Sequence, residues 1–201
     1  MDEKLLNYYL ELRSPDSGEW NLSPQCLHTE LITRDYISKS FAVTNSLQVC
    51  NVGIGMGDWD NYLGYWLNGR GTVTSIDINK AICEIFEYRQ RREGHPNPSK
   101  VLCMSIFDEG VPAAEFEIVT LIGSAINETG NFNKCLDSCF GLLKPGGHLM
   151  FMANTRKSPV EMVEQYIRST EHQMEELNTY DAFPEYPFYI CKIKKPGETT
   201  L

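Results

Sequence analysis

The sequence predicts an α/β domain with a mostly parallel sheet of seven strands, covered by helices on both faces. Short apolar runs alternate with helical patterns from residue 47 onward. These runs are apolar almost throughout, which is typical of parallel strands that are buried on both faces. Near the C-terminus the alternation stops, and two strand patterns follow each other across a short loop, which predicts an antiparallel hairpin.

The elements follow in a regular order along the chain. Five strand candidates come first, at 47–52, 72–77, 101–106, 116–122 and 148–153, and the terminal pair lies at 172–178 and 187–194. Helix candidates lie between them at about 58–68, 79–92, 131–143 and 158–170. The clearest is the third, where Phe132, Leu136 and Cys139 recur at the spacing of one buried helical stripe. We expect Asp58 to cap the first of these helices and the K-P-G-G turn at 144–147 to end the third.

The first 46 residues show no strand pattern. Residues 23–41 are predicted to be helical, with Ser23 as the N-cap and Pro24 at the first helical position. The sequence therefore predicts an N-terminal helical cap over residues 1–46 and an α/β core over residues 47–201.

Composition excludes several classes of protein. The formal net charge of −9 argues against a nucleic-acid binder, because phosphate binding requires a basic surface. The basic cluster at 89–92 is interpreted as the solvated end of a helix. The N-terminus resembles no signal peptide and no apolar run is long enough to span a membrane. Seven cysteines without a Cys-x-x-Cys pair predict a reduced cytoplasmic protein without a structural metal.

A glycine-rich turn carries the strongest functional signal. Gly53, Gly55 and Gly57 follow the first strand and precede a helix, whose N-terminus offers free N–H groups to a ligand. Asp77 ends the second strand, 20 residues past Gly57. A carboxylate there can accept both hydroxyls of a ribose. A turn without a ligand also uses glycine, but the combination of turn and acid favours a nucleoside-containing cofactor.

The spacing of the glycines distinguishes between cofactors. A dinucleotide site requires G-x-G-x-x-G, and here Asp58 stands at the position of the third glycine. An anionic side chain at the start of the helix would repel a pyrophosphate but not the amino-acid part of S-adenosylmethionine (SAM). The spacing therefore favours SAM over NAD.

The chain resembles the class I, Rossmann-like SAM-dependent methyltransferases over about residues 45–195. V-G-I-G-M-G (52–57) is similar to the first motif of that family, and S-I-D-I (75–78) to its acidic end of the second strand. The segments V-L-C-M-S-I-F-D-E-G-V-P, F-E-I-V-T-L-I-G-S and L-L-K-P-G-G-H-L-M-F are similar to its third, fourth and fifth strand motifs. The resemblance implies strand order 3-2-1-4-5-7-6 with strand 7 antiparallel.

The resemblance also implies the residues that bind SAM. Gly53, Gly55 and Gly57 would pack under the methionine part, Asp77 would bind the ribose and Ile78 would cover the adenine. Asn51 takes the place of a usual Asp or Glu. Ser105 or Asp108 would meet the adenine amino group, beside Ile106 or Phe107, and Gly123 and Ser124 would line the methionine end.

Methyl transfer from a sulfonium requires alignment above all, and a general base only where the acceptor loses a proton. His28 on the cap helix is the candidate base. Aromatic residues at both ends of the chain, among them Trp20 and Tyr186, are predicted to form either an acceptor pocket or ordinary cap packing. We expect a small-molecule acceptor and metal-free transfer. A homodimer is compatible with the sequence. A non-catalytic SAM-binding or partner-binding module and an NAD-dependent oxidoreductase remain the alternative functions.

Overall fold

Seven strands form one sheet in the computed structural model, which describes residues 2–11 and 19–197. They are β1 (Leu47–Val52), β2 (Gly71–Asp77), β3 (Lys100–Cys103), β4 (Phe116–Ile122), β5 (Leu143–Asn154), β6 (Gln173–Tyr180) and β7 (Phe188–Lys194). Their order is β3-β2-β1-β4-β5-β7-β6. Only β7 runs antiparallel to its neighbours β5 and β6. The predicted fold class and strand order are confirmed.

The helices are α1 (Glu3–Glu11), α2 (Pro24–Ser40), α3 (Asp58–Leu67), α4 (Lys80–Glu93), α5 (Ala125–Glu128), α6 (Phe132–Leu142) and α7 (Val160–Arg168). The five predicted helices are present, with ends that differ from prediction by one or two residues. The two short helices α1 and α5 were not predicted. The side chains of Leu6 and Leu10 in α1 are exposed, so its sequence shows no buried stripe.

Two apolar layers cover the two faces of the sheet. On one face α6 and α7 pack against β4, β5 and β7, with Leu136 and Val163 fully buried. On the other face α2 and α3 contribute Ile37, Leu63 and Leu67 to a second buried cluster. This double coverage explains why the parallel strands are apolar almost throughout. It also leaves the ends of the strands as the place where polar groups can meet a ligand.

Two strands differ from their predicted bounds by three residues or more at one end. β3 ends at Cys103 rather than at residue 106, because Asp108 accepts a hydrogen bond from Ser105 N at 2.9 Å and turns the chain. β5 begins at Leu143 and contains an irregularity. Phe116 pairs with Leu143 while Ile118 pairs with His148, so residues 144–147 bulge out of the ladder.

Two expectations about α3 and α4 are wrong. The N-cap of α3 is Gly57 in the left-handed conformation, and Asp58 is its first helical residue. Asp58 pairs instead with Arg89 of α4, Oδ1 to Nη2 at 2.7 Å. Arg89 is only 6% exposed, so the interpretation of residues 89–92 as a solvated face fails at its first residue. The reason is that a neighbouring helix and loop cover this part of α4.

All seven cysteines are unpaired, and only Cys103 is exposed. Across the two described ranges, no helix is both long enough and apolar enough to pass through a bilayer.

Two buried tyrosines lie on the same side of the sheet, and replacing each of them with Phe should change the stability in opposite directions. Tyr166 donates to Asp137 Oδ1 at 2.7 Å, whereas the Tyr189 hydroxyl is buried without a hydrogen-bond partner among the described residues. Replacing Tyr189 with Phe should raise the free energy of unfolding by about 1 kcal/mol, and Tyr166→Phe should lower it by about 1 kcal/mol. Urea denaturation of both variants checks this. A loss of stability in Tyr189→Phe would show that its hydroxyl is satisfied.

Candidate functional site

The candidate site lies at the carboxyl ends of the central strands. β1 pairs in parallel with β2 on one side and with β4 on the other, so the winding of the sheet reverses between β1 and β4. Ligands of open α/β sheets bind at such a point. Two cavities open there, a large cavity of about 480 Å³ and a small cavity of about 270 Å³. The loop formed by residues 53–57, here the glycine loop, contributes residues to both.

The three glycines of this loop are required for different reasons. All have positive φ, at 86° for Gly53, 52° for Gly55 and 74° for Gly57. A Cβ on Gly57 would lie 2.3 Å from the ring of Phe86, and one on Gly53 would lie 2.9 Å from the Cβ of Ala125. A Cβ on Gly55 would meet nothing within 4 Å. Packing therefore excludes a side chain at Gly53 and Gly57, and the open space is above Gly55.

Asp77 lies at the end of β2 and lines the small cavity. Its Oδ2 accepts from Ile54 N at 2.8 Å and its Oδ1 accepts from Asn79 N at 2.8 Å. Each carboxylate oxygen has two acceptor sites, so one remains on each after these bonds. The backbone thus fixes the carboxylate in a position where it can still accept two hydroxyl groups, as the ribose prediction requires.

The rest of the small cavity is apolar, apart from a few hydroxyl and carboxyl groups. Ile78, Ser105, Ile106 and Phe107, the residues predicted to contact the adenine, line it, and Gly53 forms part of its wall. Between the two alternatives at the third strand, Ser105 lines the cavity and Asp108 does not, because the Asp108 carboxylate caps the turn. Sequence reasoning missed other lining residues, namely Val52, Ile76, Met104, Ala125, Glu128 and Thr129.

The large cavity lies between the glycine loop, the end of β4 and α2. Met56, Gly57 and Asp58 line one wall, and Gly123 and Ser124, which were predicted to line the methionine end of SAM, line another. The remaining lining combines apolar or aromatic residues, which are Trp20, Cys26, Ile54, Trp59, Ile122, Met152 and Tyr186, with polar or charged ones, which are Asn21, Thr29, Glu30, Thr33, Arg34 and Lys157. Of the predicted terminal aromatic residues, Trp20 and Tyr186 reach this cavity, and their ring centroids lie 4.3 Å apart.

Asn51 lies behind the glycine loop rather than in either cavity. It is 1% exposed and all of its amide is used. Nδ2 donates to Gly53 O and to Asp60 Oδ1, both at 2.9 Å, and Oδ1 accepts from Thr120 Oγ1 at 2.8 Å. The prediction that Asn51 contacts the cofactor is not supported by this geometry. Its amide instead holds the loop from below.

Asp60 explains why an amide stands at position 51. Its side chain is 1% exposed, and besides Asn51 it accepts from Ser75 Oγ at 2.5 Å. Its Oδ2 has no partner among the described residues. Burial raises the pKa of the Asp60 carboxyl to about 7, against the lowering effect of its hydrogen bonds. A second carboxylate at position 51 would place two like charges together in the core.

His28, the predicted base, does not line either cavity. Its ring packs against Phe183 and Phe188, with centroid distances of 5.2 and 6.1 Å, and its Nε2 is buried without a partner among the described residues. His28 therefore faces the terminal hairpin, where Phe183 lies in the loop and Phe188 lies in β7. Within residues 2–11 and 19–197, no group of three or more His, Cys, Asp or Glu side chains is placed to hold a metal.

A family model for the ubiE/COQ5 methyltransferase family matches residues 26–183. The chain belongs to the ubiE/COQ5 methyltransferase family. This membership confirms the resemblance to the class I SAM-dependent methyltransferases and the prediction of SAM as the cofactor. The matched range begins inside α2, so the family pattern includes most of the helix that covers the large cavity.

Solved structures share the fold at low sequence identity. A SAM-dependent methyltransferase from Aquifex aeolicus superposes with a TM-score of 0.68 and 16% identity, over 93% of this chain and 97% of that one. The [4+2]-cyclase SpnF gives a TM-score of 0.70 and 13% identity, over 83% and 81%. TYW2 of P. horikoshii in complex with MeSAdo gives 0.63 and 11%, over 86% and 63%. No curated protein sequence matches the chain significantly.

The glycine loop of this family member allows a matched test of packing. Gly57 and Gly69 have the same φ of 74°, but only Gly57 faces a ring. We expect Gly69→Ala to lower the free energy of unfolding by about 1 kcal/mol, the cost of the left-handed conformation. Gly57→Ala should lower it by about 3 kcal/mol, because the methyl group also displaces Phe86. Equal losses in urea denaturation would contradict the packing assignment.

The buried Asp60 carboxyl predicts a pH dependence of stability. Its pKa rises from 3.8 in the unfolded chain to about 7 in the fold, so the folded protein binds this proton more tightly. The resulting stabilisation is complete below pH 3.8 and is lost as the pH rises through about 7. Between pH 5 and pH 8 the free energy of unfolding of the wild type should therefore fall by about 2–4 kcal/mol. The Asp60→Asn variant should not show this fall.

Urea denaturation at each pH compares the slopes of the two proteins, with Asp108→Asn as the control for loss of an exposed carboxyl. Parallel slopes for wild type and Asp60→Asn would show that Asp60 is already charged in the fold at pH 5.

Proposed function

We propose that this family member transfers a methyl group from SAM to a small-molecule acceptor without the help of a metal ion. One observation carries the proposal. The glycine loop separates a small cavity, which has a ribose-binding carboxylate and apolar walls, from a large cavity with an aromatic wall. Such a division suits a cofactor whose nucleoside lies on one side of the loop and whose reactive end faces an acceptor on the other.

The residues present fit SAM. Asp77 keeps two free acceptor sites for the ribose hydroxyls, and Ile78 with Phe107 provides apolar contacts for an adenine. The space above Gly55 leaves room for the amino-acid part. The N-terminus of α3 adds N–H groups suited to a carboxylate. Gly123 and Ser124 complete the wall at the end of β4.

The acceptor would occupy the large cavity beneath the N-terminal segment. Its volume of about 480 Å³ is within the range of small-molecule sites. Trp20 and Tyr186 give it an apolar rim, and residues of α2 form one wall. Residues 1–46 would then act as a cap on a core of residues 47–201. The net charge of −9 supports a small molecule over a nucleic acid.

Bound SAM supplies an electrophilic methyl group with its leaving group already in place. The chain has to align the acceptor and exclude water, which the α2 wall and the aromatic rim of the cavity would do. Where the acceptor is a hydroxyl, a base is needed. Glu30 lines the large cavity and His28 lines neither cavity, so we assign acceptance of this proton to the Glu30 carboxylate.

Isothermal titration calorimetry with SAM, S-adenosylhomocysteine and NAD tests the cofactor assignment. We expect binding of the two sulfur nucleosides and none of NAD. Asp77→Ala should weaken SAM binding by about 100-fold, because two charge-assisted hydrogen bonds are lost. Glu87→Ala, which removes an exposed carboxylate of α4 that lines neither cavity, is the control and should change the affinity less than about threefold.

Formation of S-adenosylhomocysteine over a panel of small acceptors then tests turnover. Tight SAM binding without any product would favour the non-catalytic SAM-binding module over the enzyme. Binding of NAD alone would contradict the cofactor assignment itself.

A further inference from the structure

Arg89 connects the glycine loop to the N-terminal helix. Its guanidinium is 8% exposed and donates from Nη1 to Met56 O at 2.7 Å and from Nη2 to Asp58 Oδ1 at 2.7 Å. Nη1 also donates to the hydroxyl of Tyr8, and Nε reaches Glu93 Oε2 at 3.3 Å. All three nitrogen atoms of the guanidinium therefore donate hydrogen bonds, and two of the acceptor residues, Met56 and Asp58, flank Gly57.

Tyr8 joins α1 to the same point. Its hydroxyl donates to Met56 O at 2.5 Å, and the Arg89 guanidinium lies 5.2 Å from the centre of its ring. The side chain is 7% exposed, and burial raises the pKa of its hydroxyl to about 12. Met56 O thus receives two donors, one from α1 and one from α4. A nine-residue helix is not stable alone in water, so α1 depends on this docking.

The contacts fix the segment of the loop that lines the large cavity. Met56, Gly57 and Asp58 all belong to that lining, and Phe86, one turn before Arg89, packs under Gly57. Arg89 also neutralises Asp58, which would otherwise present an unpaired carboxylate beside the amino-acid part of the cofactor.

We propose that Arg89 and Tyr8 are positioning residues for the amino-acid half of SAM, and that SAM binding and the docking of α1 stabilise each other. The inference rests on the proposal that the glycine loop binds SAM. Because coupling between two equilibria is reciprocal, a ligand that needs the ordered loop must also favour the docked helix. A ligand that contacts only the part of the site around Asp77 should not favour the docked helix.

Two probes separate the halves of the site. S-adenosylhomocysteine carries the amino-acid part, and methylthioadenosine has the same nucleoside and sulfur without it. For Arg89→Met we expect S-adenosylhomocysteine to bind about 10-fold to 30-fold more weakly and methylthioadenosine to change less than about twofold, by calorimetry. Tyr8→Phe, which removes one hydroxyl, should weaken S-adenosylhomocysteine about threefold.

Arg92→Met is the matched control on the same helix. Arg92 also links α4 to the N-terminal segment, through Asp2 Oδ2 at 3.0 Å, but it does not contact the loop. Its loss should change neither affinity by more than about twofold, since exposed ion pairs contribute little. Hydrogen exchange of the α1 amides adds a second readout. S-adenosylhomocysteine should slow exchange in the wild type, methylthioadenosine should not, and Tyr8→Phe should abolish the difference.

The outcomes separate this inference from the proposed function. A wild type that binds neither nucleoside refutes the proposed function, and the inference falls with it. A wild type that binds both, with variants that weaken both equally, shows that Arg89 only supports the fold. Unchanged affinities in Arg89→Met and Tyr8→Phe refute the coupling. If Arg89→Met does not fold, Tyr8→Phe and the exchange experiment decide the question alone.

Discussion

The site depends on a glycine loop that is held entirely from behind. Its backbone runs in the left-handed region at three positions, which costs conformational entropy on folding. Asn51 binds the carbonyl of Gly53, the Asp77 carboxylate binds the amide of Ile54, and Arg89 binds the carbonyl of Met56. Each of these contacts comes from a different element, namely β1, β2 and α4. Three elements therefore support the loop from one side, and its other side remains open.

The buried amide at position 51 is a consequence of the same arrangement. The amide of Asn51 contacts the carboxylate of Asp60, which lies in the first turn of α3. Asp60 and Asn51 share a hydrogen bond at 2.9 Å in a region closed to solvent. Only one of the two can be an acid without placing adjacent charges in the core, so the substitution at position 51 and the acid at position 60 have to be understood together.

The fold was predictable from the sequence because its signals are local and periodic. The stripe through Phe132, Leu136 and Cys139 identified α6, and the apolar runs identified β1 and β4 to the residue. Residues that line the small cavity could be predicted where they lie at or just after the end of a strand, as with Asp77, Ile78 and Ser105. Arg89 and Asp60 were not predictable, since their importance comes from burial by elements distant in sequence. The position of His28 outside both cavities was not predictable for the same reason, because α2 directs its ring toward the terminal hairpin.

The distribution of residues around the two cavities suggests how one fold serves several reactions. The small cavity is built by strand ends and the turns that follow them, which the fold itself brings together. The large cavity depends on α2, on Trp20 before it and on Tyr186 in the loop of the terminal hairpin. These segments lie outside the central strands, but α2 also contributes Ile37 to the core, so only its residues that face the cavity can change without disturbing the sheet. A fold that is shared with both a methyltransferase and a cyclase is consistent with that separation. Under the proposed function, the cap and the hairpin loop would determine the acceptor, and the core would bind the nucleoside.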